Sequence, residues 1–419
     1  MAETFHSTAG LRAALADASF DRPPALVANA HITGLGVARA LAARDVPVIA
    51  LDRTGRGVAG PSEAVAYAGQ VTYPLDDPPG FREDVEGIAA ELGHEPVAFA
   101  CMDEWVHAFA ETGPEGVRLP FDDAGYDAVL DKEALYSRCA ELGVPYPETH
   151  SLGDLAPEAA ADRLGYPFLL KPARKREGEA VLGTNVLEVG NRSELASAVR
   201  TAEDADLRLL AQEKVDVAPG EDRSLASYVP SSGVSDALGI VGNARVRNPT
   251  GFGTSCVVER VEDPELAARA YDLLDDAGYH GISESEFVYD AARGEYVLLD
   301  VNTRPWKWIG LPVEAGANLP YAAYADAVGD GTRVDPGTGG DTRDVPDARW
   351  VYLRDYLALL ASEPSFGDVL DRGTWTRLVS GRFEDERGLT AAVYAPSDPG
   401  PTARLLETEF SSNEYYCAC

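Results

Sequence analysis

The stretch ESEFVYDAARGEYVLLDVNTRP, Glu284 to Pro305, constrains the chain most. Its alternation reads as two strands, Ile282 to about Asp290 and Tyr296 to about Thr303, joined by a five-residue loop containing Gly294. That loop would set Glu286 opposite Asp300 and Glu284 opposite Asn302, with all four side chains on one face of the pleat. Opposed carboxylates repel unless a cation lies between them, and carboxylate plus amide oxygen is the donor set that suits magnesium. A hairpin whose polar face is simply wet is the alternative.

At 419 residues the chain exceeds one ordinary core, so two or three domains are expected. An apolar fraction of 45% is that of a globular protein, but the formal charge of -33 is extreme and spread along the whole chain. Self-repulsion on this scale is best tolerated in concentrated salt, which points to the cytoplasm of a halophile. Nucleic acid is not an expected partner, because affinity for phosphate backbones comes from Lys and Arg. No apolar run reaches the length of a membrane helix, and the N-terminus has no apolar leader. Cys101, Cys139, Cys256, Cys417 and Cys419 form no CxxC pair and fit a reducing compartment. Lysine is confined to Lys132, Lys171, Lys175, Lys214 and Lys307. A compact ammonium kept at so few places suits phosphate oxygens.

Residues 1–120 alternate strand and helix (PALVAN, VPVIALD, PVAFACMD), the pattern of a doubly wound parallel sheet. Gly34 and Gly36, with Asp52 ending the next strand, mimic a dinucleotide fingerprint incompletely, since Arg39 replaces its third small residue. Asp131 is placed to cap a helix from Lys132 to Leu142 that Gly143 ends. A helix near 157–164, the strand PFLLKP, a polar loop, TNVLEV, a helix near 193–202 and LLAQEKV follow, then two antiparallel strands, a helix at 264–277 and the hairpin. The expected division is 1–120, lobes at 121–205 and 206–330, a linker at 331–347 and a small, mostly helical appendage at 348–419.

A helix opening on DK, the strand FLLKP, a glycine-containing loop, AQEKV with an acid beyond it and a closing EF…LLDVNTR resemble, in this order, the ATP-grasp superfamily. The likeness is to its carboxylate-amine ligase and carbamoyl-phosphate-synthase-like branches and covers roughly Asp131 to Gly329. It implies a mixed α/β and α+β fold: a doubly wound pre-ATP-grasp domain, then a two-lobed ATP-grasp domain. It also implies ATP and magnesium as cofactors, with manganese as the alternative ion. Lys132 and Lys171 match the phosphate-contacting lysines. Gly178, Gly183 and Lys175, with Arg174 and Arg176, match the lid over the phosphates. Glu213, Lys214 and Val215 match the adenine hinge, and Glu221 the ribose-binding acid. Glu286, Asp300 and Asn302 match the metal ligands, although the commoner pattern has Glu where Asp300 stands, which leaves open whether one or two ions bind. Arg304 and Arg247 match arginines facing the transferred phosphoryl group, with Arg245 as runner-up on the same strand face. Glu284 has no counterpart. Trp306, Lys307 and Trp308 either wall the acceptor pocket or are buried.

The resemblance implies an ATP-dependent ligase of small-molecule carboxylates and amines that works through an acyl phosphate and releases ADP and phosphate; a homodimer is compatible with it. Alternatives are a carboxyphosphate-forming or kinase-like enzyme, or a regulatory protein that binds ATP without turning it over. The six histidines do not cluster and no GxSxG elbow is present.

Overall fold

The computed structural model describes residues 5–173, 181–182, 184, 186–250, 253–329 and 345–410. Arg174, Lys175, Arg176, Gly178, Gly183, Cys417, Cys419 and most of the linker lie outside the described residues.

The front unit contains strands β1 (Ala25–Ala28), β2 (Val48–Asp52), β3 (Tyr67–Gln70) and β4 (Val97–Ala100), hydrogen-bonded in the order β3-β2-β1-β4. All three pairings are parallel. β1, β2 and β4 are buried along their whole length, as strands covered on both faces must be, which is why they read as unbroken apolar runs. The helix Ile32–Ala42 packs one face, and at Gly36 a Cβ would stand 2.7 Å from Ile309 Cγ2. Gly34 and Gly36 therefore serve close packing within a helix. The rest of the dinucleotide-like pattern is also structural. Asp52 is buried and accepts from the Thr54 and Arg56 amides, and Arg39 is ion-paired with Asp398 at 2.9 Å.

A small sheet follows, built from β5 (Thr149–Ser151), β6 (Phe168–Pro172), β7 (Leu187–Val189) and β8 (Leu209–Glu213) in the order β5-β8-β6-β7. β8, which follows the expected boundary at 205, lies between β5 and β6 in this sheet. The helix Lys132–Leu142 begins and ends as expected. Asp131 accepts from the amides of Glu133 and Ala134 at 3.0 and 3.3 Å, and Gly143 closes it in the left-handed region at φ 69°.

The large sheet contains β9 (Val217–Val229), β10 (Leu238–Asn248), β11 (Thr254–Val261), β12 (Gly281–Asp290), β13 (Glu295–Asn302), β14 (Arg349–Val351) and β15 (Leu389–Ala391). Its order is β13-β12-β9-β10-β11-β14-β15. The expected helical appendage thus adds two short strands, β14 and β15, to one side of the main sheet. Three-residue strands are too short to show an alternation, so RWV and LTA gave no signal. A shared apolar core joins the front unit, the large sheet and the C-terminal segment, including Leu35, Val257, Trp308, Trp350 and Tyr356. At the same junction Asp398 also accepts from Ser62 Oγ at 2.6 Å and the Glu63 amide at 3.1 Å.

Candidate active site

The β12–β13 hairpin pairs Glu284 with Asn302 and Glu286 with Asp300, as the alternation implies. The route to that register differs from expectation. The connection between the strands is four residues, Ala291 to Gly294, and a bulge between Glu286 and Phe287 on one side and Asp300 and Leu298 on the other restores the offset. Leu299 is the extra residue of that bulge, and its carbonyl accepts from Tyr136 Oη at 2.8 Å. Tyr136 Oη in turn accepts from Gln212 Nε2 at 3.0 Å, tying the hairpin to the small lobe.

On the polar face the amide nitrogen of Asn302 donates to Glu286 Oε1 at 2.6 Å and Glu284 Oε2 at 3.1 Å. Glu284 is buried. Its burial and the adjacent Glu286 push its carboxyl up to about 8, against Arg247, Arg304 and the Asn302 hydrogen bond, which pull the other way. Asp300 turns to Lys132, whose Nζ donates to Oδ1 at 2.7 Å from an almost fully buried position at the start of its helix.

Arg247 lies on β10 and donates through Nε to Asp222 at 2.7 Å. Burial opposes its charge, but Glu286 and Asp222 outweigh that and hold its proton above the usual arginine range. Arg245 is on the opposite side. Register shifts flanking Val246 break the alternation, so Arg245 is exposed and 3.9 Å from Glu259. Arg304 is buried and ion-paired with Asp103, the first residue of the front-unit helix Asp103–Thr112.

Lys171, on β6, is buried. Glu213 accepts from the Glu148 amide at 2.8 Å and is ion-paired with Arg293, so its side chain braces the end of β8. Lys214 meets Glu188 at 2.8 Å on the surface, and Val215 is half-buried. Glu221 accepts from Tyr296 Oη at 2.8 Å, which ties it to β13. Trp306 and Trp308 are core residues with ring centroids 5.0 Å apart. Lys307 is buried against Asp355 at 2.9 Å, with its Nζ 4.8 Å from the centre of the Tyr352 ring.

The hairpin face therefore gathers Glu284, Glu286, Asp300 and Asn302, with Lys132, Arg247 and Arg304 around it. Asp103, Asp222, Tyr136 and Gln212 escaped the sequence reading. Asp103 carried one usable signal: it follows the C-terminal end of β4, the edge where open α/β sheets bind ligands. Among the described residues no three His, Cys, Asp or Glu side chains converge as a ready-made metal site. The donors nevertheless fit a hard cation. Two neighbouring carboxylates share one amide donor, and a buried oxygen of nearby Asp222 has no hydrogen-bond partner among the described residues.

The chain is 30% identical over 200 residues to a D-alanine–D-alanine ligase of Acidiphilium cryptum, covering 45% of this chain and 62% of that one. It is 25% identical over 228 residues to the C-terminal section of the carbamoyl phosphate synthase large chain of Methanopyrus kandleri, covering 49% of this chain and 38% of that one. Both matches thus span less than two thirds of the relative's length. Among solved structures, the biotin carboxylase domain of 2-oxoglutarate carboxylase from Hydrogenobacter thermophilus, in complex with MgADP, ADP and bicarbonate, superposes with a TM-score of 0.57 at 14% identity. That superposition covers 73% of this chain and 69% of that one. No family model matches the chain. The chain is thus similar in sequence, over about half its length, to ligases of the ATP-grasp superfamily, and it shares the fold of a biotin carboxylase domain.

Proposed function

We propose that the chain is an ATP-dependent ligase that joins a small-molecule carboxylate to an amine. The observation that carries the reading is the hairpin face: Glu284, Glu286 and Asn302 form an oxygen-rich cluster, and Lys132, Arg247 and Arg304 bring positive charge to the same place. The substrate carboxylate attacks the γ-phosphorus of ATP, the bond to the β,γ-bridging oxygen breaks and ADP leaves. The amine then attacks the acyl carbon, phosphate departs with the bonding pair and the amine loses a proton. Fixed positive charge around the transferring group is what such a reaction demands. Arg247 and Arg304 are the side chains we assign to the phosphoryl oxygens, and Lys132 and Lys171 to the nucleotide phosphates.

Magnesium, with manganese as a substitute, would be held by acids of the hairpin and the Asn302 amide, where it offsets phosphate charge. Glu213, Lys214 and Val215, with Glu221 beyond them, are the proposed adenosine contacts. The chain's relatives include a protein named for joining two D-alanines, which supports an amino acid or similar small acid as the carboxylate.

Hydroxylamine trapping tests the mechanism. With the true acid and ATP, hydroxylamine should replace the amine and give a hydroxamate with stoichiometric ADP and phosphate. A stable phosphorylated product would identify a kinase, AMP and pyrophosphate an adenylating enzyme, and nucleotide binding without turnover across a broad panel of acids a regulator. Each of these outcomes rejects the ligase.

A further inference from the structure

Asp222 stands on β9 among the polar side chains of the site, and one of its two oxygens is unused. On β9, Ser224 lies opposite Glu286 of β12, so Asp222, two residues along, projects from the same face as Glu286. Its neighbour Arg223 projects from the other face, where it meets Asp263 at 2.6 Å and covers the Tyr296 ring. Asp222 Oδ2 accepts from Arg247 Nε at 2.7 Å, while Oδ1 is sealed from solvent and has no hydrogen-bond partner among the described residues. The guanidinium that holds Oδ2 also feels the charges of Glu286 and Glu284, which sets the unused oxygen beside the hairpin cluster. A buried carboxylate oxygen without a donor is costly, and such atoms mark places where a ligand or a reaction uses them.

We propose that Asp222 Oδ1 receives the substrate amine and takes its proton in the second step of the ligation. An N–H of the neutral amine donates to Oδ1, which leaves the nitrogen lone pair for the acyl carbon. As the C–N bond forms the nitrogen becomes positive, and the C–O bond to phosphate breaks with its electron pair on the leaving oxygen. The nitrogen's proton passes to Oδ1 and from there to the departing phosphate. Arg247 favours this occupant over a metal ion, because a guanidinium 2.7 Å from Oδ2 repels a doubly charged cation from the other oxygen of the same carboxylate and does not repel a neutral amine. It also fixes the carboxylate, since Oδ1 cannot turn away without breaking the bond to Oδ2. The inference rests on the ligase reading and names the residue that serves its second step.

Measuring the two half-reactions separately tests it. Scrambling of ¹⁸O from the β,γ-bridge of ATP to the β non-bridging position, with acid and no added amine, reports acyl-phosphate formation. Hydroxamate formation from hydroxylamine reports the amine step. The acid is whichever of the common amino acids, D-alanine included, supports scrambling in the wild-type chain. Asp222→Asn keeps an oxygen for Arg247 and puts an NH₂ donor where Oδ1 stood. Its ratio of hydroxamate formation to scrambling should fall at least about tenfold, with a lower kcat as well as a higher KM for hydroxylamine. Asp222→Ser, with one hydroxyl for Arg247 and no second oxygen, should show the same split and decides if Asp222→Asn does not fold. An unchanged ratio, whether from equal losses or from none, would overturn the proposal and leave Asp222 as a support for Arg247 alone. So would a rise of about tenfold in the magnesium needed for scrambling, which would give Oδ1 to the cation. Absence of scrambling in the wild type with every acid would reject the ligase reading itself, and the assignment with it.

Discussion

Arg304, two residues past the end of the hairpin, is ion-paired with Asp103 on the first turn of a front-unit helix, so the front unit holds a side chain of the proposed phosphoryl site in place. Arg304 is buried, whereas the Asp103 side chain is 27% exposed. Breaking a fully buried pair costs about 3–5 kcal/mol, and the partial exposure of Asp103 lowers the expectation to about 2 kcal/mol. Asp103→Asn should therefore fold with that loss in urea titration. Its ATP turnover should fall at least tenfold while nucleotide affinity changes less than threefold. Equal losses in both would show that Arg304 acts in binding alone.

Glu286→Gln and Asn302→Asp should act in opposite directions on metal dependence. The first removes an anionic oxygen and should raise the magnesium concentration needed for half-maximal ATP turnover about tenfold or more. The second keeps an oxygen and adds a negative charge beside Glu284 and Glu286. Its melting temperature should drop below wild type in EDTA and recover in magnesium. Unchanged magnesium dependence in Glu286→Gln would remove Glu286 from the cation site.

What the sequence made legible followed physical range. The hairpin register, the helix cap at Asp131 and the buried strands of the front sheet depend on local periodicity and capping chemistry, and all three stand in the structure. The face of Arg245 was misjudged because a bulge is invisible to an alternation rule. Asp103–Arg304 and Lys307–Asp355 were illegible for a different reason. Each pair joins segments far apart in the chain, and nothing in the local pattern distinguishes these acids from the many that give the chain its charge of -33. Trp306 and Trp308 were left between pocket wall and core, and burial places them in the core.

That same charge predicts a dependence on salt. Exposed carboxylates more than about 8–10 Å apart still repel in dilute buffer and are screened as ionic strength rises. The melting temperature should climb steadily from millimolar to molar potassium chloride, with turnover following it. Full stability in dilute buffer, unchanged up to molar salt, would dissociate the acidic composition from a saline habitat.

His31 supplies a pH dependence of known sign. It precedes the helix Ile32–Ala42, is fully buried, and has its pKa lowered to about 4, first by burial and then by Lys307 and Arg354, against the pull of Asp52. In the unfolded chain the imidazole titrates near 6.5, so between 6.5 and about 4 the unfolded state binds a proton that the folded state refuses. Its contribution is complete above pH 6.5 and is lost as pH falls through that window, about 3 kcal/mol in all. Carboxylates titrate over part of the same range, so the informative quantity is the difference between wild type and His31→Gln. Urea denaturation at pH 7.5 and 4.5 should show the variant losing less stability than wild type over that interval. Equal losses in the two proteins would mean that His31 accepts its proton without unfolding the chain.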